Sequence, residues 1–280
     1  MDIKKIYLVY FSPGGNTEKV VKLIGTKLAG ELGAEAYAID FTSPEMRNAQ
    51  YSFDEDALVV FGMPTYAGRV PNKLLAFLQD GFKGNATKAV AVTTFGNRSF
   101  DGSLTELSLE LYKNGFDVFA AASFACQHHF SKVIGTARPD DDDIAEIEKF
   151  ALSVAQWLSK SEAKCIEHRN ILAESEVKPY YIPLGEDMQP AKFLKAVPKT
   201  VEALCDGCGV CVKACPVASI SSDYMTITGP CIKCQACVIK CHSGAKYFDD
   251  EAFLSHVRML ETNYTKRAAN FALIEKTAEV

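Results

Sequence analysis

The chain contains 280 residues, of which 48% are apolar and 23% are charged. This length allows one full hydrophobic core and a small second module, so we expect two domains. The formal charge of −5 argues against nucleic acid as a partner. No apolar run approaches the roughly 20 residues that a membrane helix needs, so the sequence predicts no membrane span.

The N-terminal part of the chain alternates short apolar runs with amphipathic stretches. This alternation is typical of a parallel sheet covered by helices. We predict five strands, over residues 5–11, 35–40, 57–61, 88–94 and 117–124. Helices are predicted near residues 17–32, 72–79, 104–114 and 141–159. The expected fold class is therefore α/β, with a doubly wound five-stranded parallel sheet.

The first predicted strand is followed by a glycine-rich turn that opens onto a helix. The amide groups and the dipole of a helix N-terminus favour a bound phosphate. The candidate phosphate-binding residues are Ser12, Pro13, Gly14, Gly15, Asn16 and Thr17. By itself, such a turn is equally compatible with a plain connection between a strand and a helix.

Two other loops follow the third and fourth predicted strands. Because the carboxyl ends of parallel strands meet at one edge of the sheet, we expect these loops to share a site with the first. Their candidate ligand-binding residues are Pro64, Thr65, Tyr66, Ala67, Gly68, Thr94, Phe95, Gly96, Asn97, Arg98 and Phe100. A single phosphate loop beside aromatic and glycine-rich loops suits flavin mononucleotide (FMN). Neither the G-x-G-x-x-G pattern of dinucleotide sites nor the G-x-x-x-x-G-K-[ST] loop of ATP sites occurs, so NAD(P) and ATP are not indicated.

Four polar residues near this edge have open roles. Asn97 and Arg98 either tune the flavin or make ordinary phosphate or surface contacts. His128 and His129 follow the fifth strand, where they either donate protons to reduced flavin or to a substrate, or are simple loop residues.

Eight of the ten cysteines form two runs near the C-terminus. Each run has the spacing C-x2-C-x2-C-x3-C, in which the first three cysteines ligate one [4Fe-4S] cluster and the fourth ligates its neighbour. We therefore predict two clusters, one held by Cys205, Cys208, Cys211 and Cys241 and the other by Cys231, Cys234, Cys237 and Cys215. Structural zinc is the alternative, although it usually needs a longer loop between cysteine pairs.

The other two cysteines lie outside these runs. Cys126 follows a buried strand and is either a small apolar filler or a reactive thiol, and Cys165 belongs to a proline-rich connector. The first apolar run is too short for a secretory signal, and reduced thiols predict a cytoplasmic protein. An apolar stripe over residues 251–274 predicts a C-terminal helix that packs on its own domain.

In combination, these motifs resemble the flavodoxin–ferredoxin fusion proteins of anaerobic bacteria and archaea. The resemblance covers nearly the whole chain and rests on the phosphate loop, the P-T-Y-A-G-R-V-P loop at 64–71, the F-G-N-R loop at 95–98 and both cysteine runs. It implies a flavodoxin-like FMN domain over 1–162, a connector over 163–199, and a small α+β ferredoxin-like domain with two [4Fe-4S] clusters and the C-terminal helix over 200–280.

The chain departs from the family pattern at three positions. Gly14 stands where the family usually has a hydroxyl residue, which implies the loss of one phosphate contact and weaker FMN binding. Phe95 stands where tyrosine is common, and His242 replaces the proline usual after the last cysteine. None of these departures removes a cluster ligand.

We predict an electron-transfer protein that relays electrons between two [4Fe-4S] clusters and FMN, with ferredoxin-type redox proteins as donor or acceptor. The first alternative is a ferredoxin-dependent flavoenzyme, an oxidoreductase that reduces a small substrate. The second is a redox sensor or a reductive activator of another enzyme. The sequence does not indicate an oligomeric state.

Overall fold

The structure is a computed structural model that describes residues 3–160 and 170–275. Its strands are β1 Lys5–Tyr10, β2 Glu35–Asp40, β3 Tyr51–Phe53, β4 Ala57–Pro64, β5 Phe82–Gly84, β6 Thr87–Phe95, β7 Phe116–Ala125, β8 Lys199–Thr200, β9 Lys246–Tyr247 and β10 Phe271–Ile274. Its α-helices are α1 Asn16–Leu32, α2 Asn72–Asp80, α3 Ser103–Lys113, α4 Asp141–Leu158, α5 Val210–Ala214, α6 Ala236–Ile239 and α7 Glu251–Asn263. Cys165 and the first part of the predicted connector lie outside the described residues.

The central sheet has the order β2-β1-β4-β6-β7, with β10 at the β7 edge. All the pairings among the first five strands are parallel. Renumbered within the sheet, this order is 2-1-3-4-5, which is the flavodoxin-like arrangement of doubly wound folds. The predicted α/β fold class and its five parallel strands are confirmed.

Hydrophobic side chains fill the space on both faces of this sheet. On one face, α1 and α4 bury Val20, Ile24 and Val154 against the strands. On the other face, α2 and α3 contribute Leu74 and Leu107. Because helices cover both faces, every residue of β6 and β7 is buried, and residues 89–92 and 118–122 are unbroken apolar stretches with no alternation.

The predicted C-terminal helix begins at Glu251, but its predicted extent to residue 274 is wrong. Helix α7 ends at Asn263, and residues 271–274 form β10, which pairs antiparallel with β7. The side chain of Asn97 donates hydrogen bonds to the carbonyls of Tyr264 and Lys266 at 2.8 and 3.0 Å, so the chain leaves the helix there. The free edge of β7 then supplies backbone partners for a sixth strand.

The two cysteine runs lie between these C-terminal elements and the connector. Strands β8 and β9 pair antiparallel, and the short helices α5 and α6 each follow the start of a cysteine run. The guanidinium of Arg47 donates a hydrogen bond to the backbone carbonyl of Pro216, which ties this segment to the sheet domain. Among the described residues, no helix is both long enough and apolar enough to cross a membrane.

Candidate functional site

A cavity of about 230 Å³ lies at the carboxyl edge of the parallel strands. We call it the edge cavity. The residues of the three predicted loops that line it are Ser12, Pro13, Gly14, Asn16, Thr17, Pro64, Thr65, Tyr66, Ala67, Gly68, Thr94, Phe95, Gly96 and Arg98. The structure thus brings together most of the residues predicted to bind FMN. Gly15, Asn97 and Phe100 are predicted residues that do not line this cavity.

The first loop turns sharply into α1. Gly15 has a φ of 93°, a left-handed conformation that favours glycine, and its amide donates to the carbonyl of Ser12 at 3.3 Å. The hydroxyl of Ser12 accepts the amide of Glu18 at 2.9 Å, and the hydroxyls of Thr17 and Thr94 lie 2.8 Å apart. These bonds fix the loop at the N-terminus of a 17-residue helix, where backbone amides and the helix dipole favour a phosphate.

The second loop is a tight hairpin that points Tyr66 into the edge cavity. The backbones of Tyr66 and Arg69 exchange hydrogen bonds of 2.8 and 3.1 Å, and Arg69 is ion-paired with Glu106. Desolvation raises the pKa of Tyr66 well above its usual value, and the nearby thiols of Cys234 and Cys231 raise it further. Tyr66 and Cys234 both line the edge cavity, so this loop and the second cysteine run meet there.

In the third loop, some side chains line the edge cavity and others contact the C-terminal segment. Phe95 lines the cavity, whereas Phe100 packs between Phe95 and Phe271 with ring centroids 5.6 Å from each. Asn97 has a φ of 61°, and its Oδ1 accepts hydrogen bonds from Arg138 and from the amide of Ala268. Its side chain therefore holds the C-terminal segment and does not face the cavity.

Arg98, for which flavin tuning and an ordinary phosphate or surface contact were both left open, lines the edge cavity. Arg98 is ion-paired with Asp101, and its guanidinium carbon lies 3.8 Å from the ring centroid of Tyr181. This cation–π contact holds Arg98 against the connector. The arginine is therefore fixed from two sides at the cavity wall.

The remaining wall of the edge cavity comes from the segment after β7, the connector, the second cysteine run and α7. It is formed by Cys126, Gln127, His128, His129 and Phe130, by the connector residues Tyr181, Pro183 and Phe193, and by Ile232, Lys233, Cys234, His256 and Leu260. The sequence singled out Cys126, His128, His129 and Cys234 of this wall, but it linked only the two histidines to this site. The connector and α7 lack any motif that would have placed them here.

Two histidines in this wall have tautomers fixed by the backbone. Nδ1 of His128 accepts the amide of Phe130 at 3.1 Å, whereas Nδ1 of His256 donates to the carbonyl of Leu184 at 2.7 Å. Desolvation lowers the pKa of His128 to about 3 and also lowers that of His256. Both imidazoles are therefore neutral near pH 7, one with a proton on Nε2 and the other with a lone pair there.

The eight cysteines of the two runs line two separate small cavities. One cavity is lined by the inner quartet, which consists of Cys215, Cys231, Cys234 and Cys237. The other is lined by the outer quartet, which consists of Cys205, Cys208, Cys211 and Cys241. Each quartet takes three cysteines from one run and the last cysteine from the other, which is the arrangement that two [4Fe-4S] clusters require.

The two quartets differ in their surroundings. Burial raises the pKa of Cys234 and Cys237 to about 12, so these thiols would ionise only with a compensating positive centre such as a metal cluster. In the outer quartet, Cys208 is exposed. Beside it, the imidazole of His242 and the carboxylate of Asp206 lie 2.7 Å apart at the surface.

Cys126 is a buried cysteine that belongs to neither quartet. It is 1% exposed, and burial raises its pKa to about 12, so its thiol stays neutral. Its sulfur lies 3.8 Å from the carbonyl of Phe124. This environment suits a small packing residue rather than a reactive thiolate.

Residues 198–221 match the family model of the 4Fe-4S binding domain, and this stretch contains the first cysteine run. A search of curated proteins finds no match. Among solved structures, the chain is similar to a flavodoxin from the domain Archaea, with 16% identity, a TM-score of 0.37, and coverage of 56% of this chain and 99% of that one.

Two other solved structures are similar over a comparable share of the chain. Oxidised Flavodoxin 2 from Bacillus cereus has 16% identity and a TM-score of 0.40, and the match covers 55% of this chain and 99% of that one. The apo form of the NADH:FMN oxidoreductase EMOB has 18% identity and a TM-score of 0.41, with coverage of 61% and 98%. The strand order of the sheet and the matched iron–sulfur segment together give this chain a flavodoxin–ferredoxin arrangement, and with it a redox role in electron transfer.

Proposed function

We propose that this protein relays electrons between two [4Fe-4S] clusters and FMN. The observation that carries the proposal is the position of Cys234, which belongs to the inner quartet and also lines the edge cavity. A cluster held by the inner quartet would therefore adjoin a flavin held in the edge cavity. Electron transfer between the cluster and the flavin within one protein needs this proximity.

The edge cavity fits FMN in its donor set. The loop from Ser12 to Thr17 offers backbone amides at a helix N-terminus for the phosphate, and Tyr66 and Phe95 offer rings for stacking. FMN supplies chemistry in which two electrons can be taken up singly or as a pair. The residues of the chain bind the cofactor, exclude water from it and hold Arg98 nearby.

The outer quartet fits the second cluster and is the point of exchange with protein partners. Cys208 is exposed there, whereas the edge cavity is covered by the connector and α7. We propose ferredoxin-type redox proteins as donor or acceptor at this surface, in the cytoplasm. The inner quartet then stands between that surface and the flavin. We keep 1–162, 163–199 and 200–280 as the proposed extents of the flavin domain, the connector and the cluster domain.

The test is an anaerobic reductive titration of the full chain after its iron, zinc and FMN contents are measured. We expect about four electrons per protein, one for each cluster and two for the flavin, together with electron paramagnetic resonance (EPR) signals from two clusters. Zinc in place of iron, or a chain that takes up FMN but only one cluster, would overturn the proposal.

One observation favours a second candidate function, reduction of a small molecule. The neutral imidazoles of His128 and His256 present a hydrogen-bond donor and an acceptor within the covered edge cavity. A donor and an acceptor in one cavity could orient a small substrate and exchange a proton with it. Steady turnover of small electron acceptors by the reduced protein, lost in His128→Phe and His256→Phe while both cofactors stay bound, would favour this function over the relay.

A further inference from the structure

Gly14 of the first loop has no room for a side chain, because an imidazole occupies that space. A Cβ built on Gly14 would lie 1.9 Å from Cε1 of His129 and 2.5 Å from both of its ring nitrogens. Real Cβ atoms essentially never come that close to another heavy atom. The imidazole of His129 therefore fills the position that a side chain at residue 14 would take.

The same imidazole also contacts the inner quartet. His129, Gly14 and Cys234 all line the edge cavity, and the backbone of Cys234 lies near enough to the His129 ring to raise its pKa against the lowering effect of burial. The loop that carries His129 is tied to the phosphate loop a second time, since Asn16 Nδ2 donates to the carbonyl of Gln127 at 3.0 Å. One side chain thus touches the backbone that would hold a phosphate and the backbone that would hold a cluster.

We propose that His129 is a positioning residue that couples phosphate binding in the first loop to the cluster of the inner quartet. The inference rests on the proposed function, since it takes FMN and that cluster as the two ligands. A phosphate that orders the backbone at Gly14 also fixes the imidazole packed on it, and the imidazole fixes the backbone of Cys234. By thermodynamic reciprocity, each ligand then changes the binding or reduction equilibrium of the other by the same factor.

This coupling gives a physical reason for glycine at residue 14. A larger residue there would displace His129 from the phosphate loop and weaken its contact with Cys234. Glycine at residue 14 gives up the hydroxyl contact with the phosphate, and in return it leaves room for His129 to link the phosphate loop to the inner quartet. Sequence comparison alone shows only the missing hydroxyl.

The first experiment is a double-mutant cycle on the full chain with both clusters loaded. The dissociation constant of FMN is measured by flavin fluorescence for wild type, Gly14→Ala, His129→Ala and the double variant. We expect Gly14→Ala to weaken FMN binding at least tenfold in the wild-type background and less than twofold in the His129→Ala background, where the new methyl group has room. The control is Gly30→Ala, because no atom lies within 4 Å of a Cβ at that position.

The second experiment removes the redox chemistry of the flavin. Inorganic phosphate is added to FMN-free, cluster-loaded protein at constant ionic strength, and the midpoint potentials of both clusters are followed by EPR. We expect phosphate to shift the inner cluster in wild type and to shift it much less in His129→Ala. The outer cluster serves as the internal control. A tenfold coupling corresponds to about 59 mV for a one-electron centre.

Distinct results overturn the inference and the proposed function. Equal losses from Gly14→Ala in both backgrounds, or an inner-cluster shift that persists in His129→Ala, would overturn the coupling while leaving the relay intact. Wild-type protein that binds neither FMN nor phosphate would overturn both. If His129→Ala fails to load its clusters, His129→Asn takes its place, since it is also too short to fill the space beside Gly14 and the same cycle applies.

Discussion

Arg138 and Asp143 form a buried ion pair in which two guanidinium nitrogens engage one carboxylate. Nε lies 2.9 Å from Oδ2 and Nη2 lies 2.6 Å from Oδ1, and the two side chains are 3% and 0% exposed. Asn97 and Asn270 complete the network by hydrogen-bonding Arg138 and Asp143, respectively. The pair thus joins the third cavity loop, the start of α4 and the C-terminal segment.

We expect Asp143→Ala to lower the free energy of unfolding by about 3 kcal/mol, because it leaves a buried guanidinium without its partner. Chemical denaturation of the cofactor-loaded chain measures this loss. The matched control is Glu186→Ala, which breaks the exposed pair with Arg258 and should cost less than about 1 kcal/mol. Equal losses in the two variants would contradict the assignment of Arg138–Asp143 as a stabilising buried pair.

The carboxylate of Asp143 also makes the free energy of unfolding depend on pH. Burial raises the pKa of Asp143, but the hydrogen bonds from Arg138 and Asn270 outweigh it, and the pKa lies below its usual value. A depressed carboxyl pKa stabilises the fold above the unfolded pKa of about 4, and the contribution is lost as the pH falls through the folded value. We expect the wild type to lose more stability than Asp143→Asn between pH 5 and pH 3, in denaturation curves recorded at each pH.

His128 should produce a second acid-dependent loss at higher pH. Its pKa of about 3 lies below the unfolded value near 6.5, so the unfolded state binds a proton that the folded state excludes. The stability is complete above about pH 6.5 and falls as the pH approaches 3. His128→Asn keeps an acceptor for the Phe130 amide and does not titrate, so its stability should vary less between pH 7 and pH 5. A pH profile that is the same in wild type and His128→Asn would show that folding does not lower the pKa of His128.

Loss of Cys241 should damage one cluster selectively. Cys241 lines the cavity of the outer quartet although it comes from the second run. We expect Cys241→Ala to abolish the EPR signal of the outer cluster and to leave the inner cluster and the FMN content intact. Cys126→Ala, at a buried cysteine outside both quartets, is the control and should retain both clusters. Loss of the inner cluster alone would contradict the crossed pairing.

Removal of the Asn97 side chain should release the C-terminal strand. The side chain makes part-buried hydrogen bonds to the backbone of Tyr264, Lys266 and Ala268, and Asn97→Ala removes all three. We expect a loss of about 2 kcal/mol in stability and faster hydrogen exchange at the amides of β10. Exchange that rises equally across the central strands would indicate general destabilisation instead.

The sequence predicted the elements whose environment is local or fully buried. The central parallel strands β4, β6 and β7 carry long apolar stretches because helices cover both faces, and the cysteine spacing determines which four sulfurs can meet. Residues 271–274 were predicted as helix, because Phe271 and Ile274 are three residues apart and fit a helical stripe. Their pairing with β7 depends on a sheet edge that only the tertiary structure supplies.

The contribution of the connector and α7 to the edge cavity could not be predicted for a related reason. Tyr181 and Phe193 belong to a segment without periodicity, and His256 lies on a helix whose pattern indicates only packing. Asn97 was placed in the right loop, but the direction of its side chain follows from a left-handed backbone that the sequence does not specify.

Strand β10 limits the mobility of the segment that carries the two cysteine runs. Asn170 bridges to Val118 of β7 before the cysteine runs, and β10 returns to β7 after them, so the intervening chain is fastened to one strand at both ends. A domain joined by a single flexible linker would sample a large volume and would approach the edge cavity only part of the time. Here the double attachment holds the inner quartet beside the edge cavity, so a cluster and a flavin bound there, as we propose, would stay close without a diffusional search.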